Sequence, residues 1–317
     1  MRFVWKRVVQ LVVVLLSVTF LSSLMLNFLP GDAAIVVCGA SCTTEQYQQV
    51  REEMGLNEPV LVRYGQWLGR VVRGDLGASN VNKEQVSTAL SQRMPVTLEL
   101  LILSQIISLG LAIPLGVISA RRPNGAVDKT STGVGFIFLA VPGFVIGLLL
   151  IELFAVKLHL FPATGYKTFL ENPAENIRDL FLPSLTLALA EIAVYSRLLR
   201  TDLMGTLQED YIMMAKAKGL TSRRIMWRHA FRPSTFSLIT VVGLRIGGAI
   251  GGALIIERVF ALNGLGLYAI SAIEKRDFIP LQGAVVVIAI GYVLVNFAVD
   301  MFYAVLDPRI RHARSIA

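Results

Sequence analysis

The chain alternates long apolar stretches with polar ones, and six of the apolar stretches are near or above the length that crosses a bilayer. About 20 apolar residues span roughly 30 Å of hydrocarbon as a helix, which also satisfies its own backbone hydrogen bonds in lipid. The stretches cover residues 8–29, 97–120, 132–156, 181–199, 235–256 and 281–305. The pattern therefore predicts an all-α integral membrane protein with six transmembrane helices, the first of them within residues 1–29.

Residues 30–95, between the first two apolar stretches, form the one sizeable soluble excursion. A capping box at Thr43 opens one amphipathic helix, and Pro59 opens a second. The turn after the second helix contains Gly74, Asp75 and Gly77. Two helices and a turn predict a small platform on the outer face, too short to be an enzyme domain of its own, that touches an extracytoplasmic partner.

A second polar interruption lies within residues 201–234 of the remaining five-helix core, residues 96–317. The pattern predicts a short helix, a stop at Gly219 and a second short helix capped by Thr221 or Ser222. The apolar positions are Leu207, Tyr211 and Met214 in the first helix and Ile225, Met226 and Trp227 in the second. The cations are Lys216, Lys218, Arg223, Arg224, Arg228 and Arg232. Such a unit can dock an apolar ridge in a partner's groove, whereas the alternative is a plain basic loop on anionic lipid.

Composition and charge agree with a membrane protein. The mean hydropathy is +0.63 and 16% of residues are charged. The net charge of +8 is unevenly distributed, because segments 1–7, 121–130, 197–232 and 306–317 hold 17 lysines and arginines against five acids. The other polar segments hold 12 against 13. This bias follows the positive-inside rule, predicts that both termini are cytoplasmic and argues against nucleic-acid binding. The first apolar run is longer than a typical signal peptide core and is interpreted as an uncleaved span.

Several spans contain residues that bend or pack helices. Pro114 and Pro142 lie inside the second and third apolar stretches, where proline kinks a helix. The fifth stretch contains two glycine series with four-residue spacing, Gly243, Gly247 and Gly251 and then Gly248 and Gly252. These glycines permit close packing against a neighbouring helix, and a helix that lines a pathway is the compatible alternative.

Two opposite charges fall inside apolar sequence at similar predicted depth. Arg245 lies about ten residues into the fifth stretch, and Glu191 lies in the fourth. A charge at this depth costs roughly 2.5 to 3.5 kcal/mol on insertion scales, so each needs a partner or water. We expect the two to face each other or a shared wet cavity, either as a static pair or as a contact for a charged substrate group. The translocation pathway candidates are Glu191, Arg245, Gly247, Gly248 and Gly251.

Other chemistry is sparse. Cys38 and Cys42 are the two cysteines and both fall in the outer segment, where an oxidising environment favours a disulfide. No histidine is near them, so no metal site is expected, and no P-loop occurs in the chain. The sequence lacks a visible catalytic constellation, and we expect a transport subunit rather than an enzyme, with energy supplied by another subunit.

The chain resembles, over nearly its whole length, the first permease subunit of the peptide-type ABC importers, the dipeptide, oligopeptide and nickel family. The motifs that carry the resemblance are FLPGDAA (28–34), EQYQQVREEMGLNEPVLVRYGQWL (45–68), GDLGAS (74–79), PVTLEL (95–100), IPLGVISARR (113–122), LFPATGY (160–166), EDYIMMAKAKGL (209–220), IGGALIIERVF (250–260) and LDPRIR (306–311). The resemblance implies a type I importer permease fold in the bacterial inner membrane.

The resemblance also implies roles for the polar segments. The interruption at 201–234 would be the coupling loop that docks in an ATPase, with Ala215 and Gly219 keeping two letters of the family's E-A-A-x-x-x-G pattern and methionines replacing the first two. The implied ATPase contacts are Tyr211, Met214, Ala215, Lys218, Gly219, Leu220, Arg223 and Arg224. The turn with Gly74, Asp75 and Gly77 would face a substrate-binding protein.

The implied assembly contains this chain, a second homologous permease, two ATPases and an extracytoplasmic binding protein. ATP and Mg would be bound by the ATPases, so no cofactor is expected in this chain. The implied cargo is a di- or oligopeptide, and nickel or its chelate is the alternative within the family. A self-contained secondary transporter is a distant alternative, because no inverted repeat is evident and only Glu191 is a carboxylate near mid-span.

Overall fold

The computed structural model describes residues 2–28, 33–38 and 42–306. Within these ranges the regular secondary structure is helical, the helices are joined by turns and loops, and one isolated bridge connects Ala78 and Gln85. The helices are α1 (Arg2–Phe28), α2 (Ala33–Cys38), α3 (Thr44–Glu53), α4 (Val60–Val72), α5 (Val86–Arg121), α6 (Ala126–Ala140), α7 (Gly143–Leu150), α8 (Pro173–Thr206), α9 (Asp210–Ala217), α10 (Ser222–Arg224), α11 (Phe231–Val259), α12 (Leu265–Glu274) and α13 (Phe278–Leu306). Two π-helical segments, Ile151–Lys157 and Ile225–Ala230, continue α7 and α10.

Among the described residues, three helical stretches are long and apolar enough to cross a membrane, and a fourth span results if one bent pair counts as a single crossing. The three stretches are Val86–Arg121, Ser222–Val259 and Phe278–Ala298. The expected fourth span, residues 181–199, is the central part of α8, and the expected first span coincides with α1 as far as Phe28. Leu29 and residues 307–317, with their predicted inner charges, lie outside the described residues. The number six stays a prediction.

The expected third span is not one continuous helix. The helices α6 and α7 meet at an angle of 107°, at a break where Val141 has an extended backbone (φ −88°, ψ 130°). A proline disfavours helical backbone in the residue before it, and Pro142 follows Val141 directly. Pro142 therefore breaks this helix and starts α7, whereas the expected effect was a kink. By contrast, α5 continues through Pro114 to Arg121.

The chain divides into two compact units, and the first consists of the residues up to Thr97 together with Leu262–Leu294. The segment predicted as the outer platform contains both predicted helices, α3 and α4, and α3 is capped by Thr43 and Gln46 in a reciprocal capping box. Trp67 of α4 is buried, and the Tyr64 ring packs at 5.4 Å on Phe20 of α1. The core of this unit contains Val86, Leu90, Leu265, Ala269, Ala272, Leu281 and Ala284.

Among the described residues, the second unit consists of Leu98–Ala261 and the residues from Val295 to Leu306, and α8 packs against several of its helices. Helices α6, α7 and α11 all pack against α8. Small residues permit close approach, because a Cβ added at Gly135 of α6 would lie 3.2 Å from the Cβ of Ala193 in α8. The core contains Ala112, Val117, Ala120, Tyr195, Leu199, Leu203, Ile212, Ala215, Ile225, Met226, Ala230 and Leu238. The predicted docking loop is therefore anchored in the same core as the spans.

Candidate functional site

The predicted docking loop begins with α9, and its end is set by Gly219. The backbone N–H of Leu220 donates to the carbonyl of Ala215 at 3.2 Å, and that of Gly219 donates to Lys216 at 2.9 Å. This pair of bonds is a Schellman motif, which needs a left-handed residue after the helix. Gly219 supplies it with a φ of +76°. The predicted helix stop is thus present, and it directs the chain away from the axis of α9.

The second helix of the loop is longer than predicted. Thr221 caps it by accepting a hydrogen bond from the N–H of Arg224 at 3.4 Å, but α10 then continues through the π-helical segment into α11 without a break. The stretch does not break at Pro233, although a proline removes one helical hydrogen bond; this residue lies three positions after the π-helical segment. The docking loop and the fifth span therefore share one helical stretch.

Tyr211 links the two helices of the loop. Its hydroxyl donates a hydrogen bond to the carbonyl of His229 at 3.5 Å. In an α-helix this carbonyl would accept from the N–H four residues later, but that residue is Pro233, which has no N–H. Partial burial and the nearby charge of Glu209 raise the pKa of Tyr211, so the hydroxyl remains a proton donor. The contact holds α9 against the π-helical segment.

The loop has a buried face and an exposed face. Ile212, Ala215, Ile225 and Met226 are buried in the core of the second unit. The exposed apolar side chains are Tyr211, Met213, Met214 and Trp227. The six cations Lys216, Lys218, Arg223, Arg224, Arg228 and Arg232 are all exposed. The outward surface therefore combines two aromatic side chains and two methionines with positive charge. Ile225 and Met226 were predicted as apolar positions of the docking unit. They are instead buried in the core, because their helix is continuous with α11.

A separate cavity of about 470 Å³ lies in the second unit, among α5, α7, α8 and α11. Glu191 and Arg245 both line it, and the expected contact between them is present, with Arg245 Nη1 3.6 Å from Glu191 Oε1. The bend between α6 and α7 contributes Pro142, Gly143 and Phe144 to the wall. Glu191 and Arg245, which the sequence predicts at a similar depth in the membrane, therefore line the same cavity.

The glycines of α11 divide between packing and open space. Gly243 and Gly247 are buried, in keeping with the packing interpretation. Gly248 and Gly252 line the cavity, and a Cβ added at Gly248 or Gly251 would meet no atom within 4 Å. Gly248 therefore lies on the wall of the cavity, as the pathway interpretation requires. Gly247 is on the packed side of the helix, and Gly251 is not part of the cavity wall.

Comparisons with known proteins identify the chain. Residues 112–312 match the family described as binding-protein-dependent transport system inner membrane component, and residues 1–101 match the N-terminal family of the same transport systems. The chain belongs to this family of permeases. The permease is 36% identical to a putative peptide transport system permease protein of Brucella abortus, over 97% of its own length and 98% of the relative's.

Two further relatives align with nearly the whole permease. The oligopeptide transport system permease protein AppB of Bacillus subtilis is 36% identical, over 98% of this chain and 99% of AppB. The glutathione transport system permease protein GsiC of Escherichia coli is 31% identical, with the same coverage. The permease is therefore a multi-pass protein of the inner membrane and a peptide-type ABC importer permease. Such a permease works with ATPase and substrate-binding components.

A solved structure supports the fold. A chain of the MetNI methionine ABC transporter, solved in inward-facing conformations, matches with a TM-score of 0.57 and 16% identity. The match covers 70% of the permease and 97% of the MetNI chain. The permease thus has the type I importer fold.

An ion pair between α6 and α8, which the sequence analysis missed, lies close to the start of the docking loop. The Arg200 guanidinium contacts the Asp128 carboxylate twice, Nε to Oδ1 at 2.5 Å and Nη2 to Oδ2 at 2.7 Å. The backbone N–H of Asn124 also donates to Asp128 at 2.9 Å. Asp128 is buried at the start of α6, and Arg200 lies on α8 six residues before that helix ends. The pair fixes the part of α8 that leads into the loop.

The outer turn of the permease is held by a buried aspartate that the sequence analysis also missed. Asp277 accepts hydrogen bonds from the Ser79 hydroxyl at 2.5 Å, the Asn80 N–H at 3.2 Å and the Val81 N–H at 3.4 Å. Gly74 and Asp75 are exposed beside this anchored segment, and Gly77 has a φ of +82°. The candidate partner-facing turn is thus pinned to the residue that precedes α13.

The cysteines of the permease are joined. Cys38 and Cys42 form a disulfide with their Cα atoms 5.5 Å apart. The bridge closes a small loop between α2 and α3 on the outer platform. Among the described residues no cluster of three or more metal-ligating side chains occurs.

Proposed function

We propose that this permease carries di- and oligopeptides across the cytoplasmic membrane. In this proposal it is one of two homologous permeases, two separate ATPase subunits hydrolyse ATP, and an extracytoplasmic binding protein delivers the cargo. The names of its relatives, which refer to peptide, oligopeptide and glutathione transport, support the cargo. The observation that carries the proposal is the exposed loop surface around Tyr211, Met213 and Met214, because it offers an apolar contact framed by cations.

The geometry of α11 suggests how a movement of the loop reaches the cargo. The helical stretch from Ser222 to Val259 includes both the rear part of the loop and Arg245 in the cavity. Ile225 and Arg245 are 20 residues apart in sequence, about 30 Å along a helix. When ATPases close on the loop, a packed helix of this length transmits the displacement as a rigid body. The cavity then changes its opening without any chemistry in this chain.

Charge reversal tests the docking role. We expect Arg223→Glu and Arg224→Glu, combined with Gly219→Pro, to separate ATP hydrolysis from peptide uptake while the permease still inserts. The matched control is Arg121→Glu with Arg122→Glu, an exposed arginine pair at the C-terminal end of α5 that is outside the loop. Undiminished coupled uptake in the loop variant would argue that the loop is passive.

Affinity purification and reconstitution test the rest of the proposal. The tagged chain is expected to recover a second permease and P-loop ATPases, and the assembled complex is expected to take up dialanine in an ATP-dependent manner when its binding protein is added. Nickel and a nickel chelate are assayed in parallel. If the complex takes up nickel but no peptide, nickel replaces peptide as the proposed cargo. If the chain alone takes up either substrate without ATP, the proposed importer mechanism is wrong.

A further inference from the structure

We propose that Glu191 and Arg245 form a binding site for the two charged termini of a short peptide inside the cavity of this permease, an inference that rests on the proposed peptide cargo. The ammonium of the peptide would lie against Glu191 and its carboxylate against Arg245. The pair would therefore recognise zwitterionic cargo as it passes, in addition to whatever selection the binding protein makes.

The contact between the two side chains leaves part of their bonding capacity unused, although the Tyr195 hydroxyl also interacts with Glu191. The separation of 3.6 Å is an ion pair without a short hydrogen bond, whereas the Asp128 and Arg200 side chains of the same unit meet at 2.5 and 2.7 Å. Guanidinium and carboxylate groups prefer two parallel bonds when they serve only each other. The Glu191–Arg245 pair is therefore close enough to neutralise its charges and open enough to accept a ligand.

The surroundings of the pair contain further unsatisfied polar atoms. Glu191 Oε2 and Gln105 Nε2 are both buried without a hydrogen-bond partner in the part of the chain that the structure describes. The Arg245 side chain is 44% exposed, and Gln105, Glu191 and Arg245 all line the cavity. Buried polar atoms without partners are uncommon in folded proteins because each one costs free energy. Here they point to a polar ligand.

The space fits a small ligand. Gly248 and Gly252 line the cavity on the helix that carries Arg245, and no atom lies within 4 Å of a Cβ added at Gly248. The cavity of about 470 Å³ holds a peptide of two or three residues with some water. The termini of an extended dipeptide are about 7 Å apart, so both reach neighbouring charges. A longer peptide places only one terminus at the pair, and the effect is therefore expected to weaken with peptide length.

Equilibrium binding to the assembled permease–ATPase complex in nanodiscs, without binding protein, tests the inference. The probes are dialanine, N-acetyl-dialanine and dialanine amide. Free dialanine is expected to bind about tenfold more tightly than either blocked form, the magnitude of a charged hydrogen bond. Glu191→Gln is expected to remove the preference for a free amine and keep the preference for a free carboxylate, whereas Arg245→Gln is expected to do the reverse.

A double variant keeps the test informative if a single unpaired charge disturbs folding. Glu191→Gln with Arg245→Gln leaves neither charge unpaired, and it is expected to insert normally and to bind all three probes alike. Three results would overturn the inference: no measurable binding of dialanine to the wild-type complex, single variants that weaken all probes equally, or a double variant that keeps the wild-type preferences.

Uptake of dialanine by the complete wild-type system separates this inference from the proposed function. If dialanine is taken up and the variants do not change the preference for free termini, the proposed peptide cargo is retained and the proposed binding site at Glu191 and Arg245 is rejected. If the complete system does not take up peptide at all, the proposed function itself fails.

Discussion

Gly219 is the residue on which the direction of the docking loop depends. Its φ of +76° is disfavoured for any residue with a Cβ, although a Cβ added there would meet no atom within 4 Å. We expect Gly219→Ala to destabilise the turn by about 1 kcal/mol through backbone strain alone and to reduce coupled peptide uptake. Uptake and ATPase activity of the reconstituted complex measure the effect.

Gly205 provides the control for this substitution. It also has no atom within 4 Å of an added Cβ, but it lies in α8 with an ordinary helical backbone. Gly205→Ala is therefore expected to leave uptake unchanged. Equal losses in the two variants would show that the left-handed turn has no special role.

Asp128 is the buried anchor behind the loop. Asp128→Asn keeps the shape of the side chain but removes the charge that holds Arg200, so we expect a loss of about 2 kcal/mol or more in stability. Thermal unfolding in detergent should show a lower midpoint. Asp210→Asn, the same substitution at an exposed position in α9, is expected to change the midpoint little. A midpoint equal to the wild type in Asp128→Asn would mean that α6 and α8 pack without the pair.

At this scale the sequence predicts some contacts and misses others for a physical reason. Glu191 and Arg245 could be paired because a charge in an apolar span needs a partner at its own depth. Asp128 and Arg200 are 72 residues apart, and Ser79 and Asp277 are 198 residues apart. These residues lie in polar segments, where no periodicity or depth restricts the choice of partner.

Pro142 decides the shape of an element that the sequence predicts as a single kinked span. We expect Pro142→Ala to let Val141 become helical, so that α6 and α7 move toward one straight helix and the cavity loses part of its wall. Spin labels at the exposed residues Phe136 and Leu148 report the change, because their separation should increase toward the roughly 18 Å of a straight helix.

Pro114 provides the matched control for the bend. The helix α5 is continuous through Pro114, so labels at Leu111 and Ile118 should keep their distance in Pro114→Ala. An unchanged distance across residues 136–148 in Pro142→Ala would mean that packing on α8, and not the proline, maintains the bend.

The elements themselves were largely predictable, but their ends were less so. The capping box at Thr43 and the stop at Gly219 depend on a few adjacent residues, and both are present. The continuity of α10 with α11 and the break at residue 141 depend on how neighbouring helices accommodate a proline. Pro233 and Pro142 have the same local chemistry. The sequence alone therefore does not show that the helix continues through Pro233 but breaks before Pro142.

The orientation of the whole molecule in the membrane follows from its charge distribution, and it remains a prediction. If the positive-inside rule holds, a cysteine at Leu170, which is 96% exposed in an outer segment, should react with a membrane-impermeant maleimide in intact cells. A cysteine at Met213, which is 55% exposed in the docking loop, should react only after permeabilisation. Both are made in a Cys38→Ser, Cys42→Ser background. The reverse labelling pattern would invert the topology.

The outer turn beside Gly74 and Asp75 has its backbone fixed before any partner arrives, because Asp277 already occupies the Asn80 and Val81 N–H groups. Ordering a flexible residue costs about 1–2 kcal/mol of conformational entropy, and a partner that docks here would not have to supply it. Most of the contact energy would then appear as affinity. A small contact area would then be sufficient for a partner to recognise this turn, and a contact of small area can also dissociate rapidly.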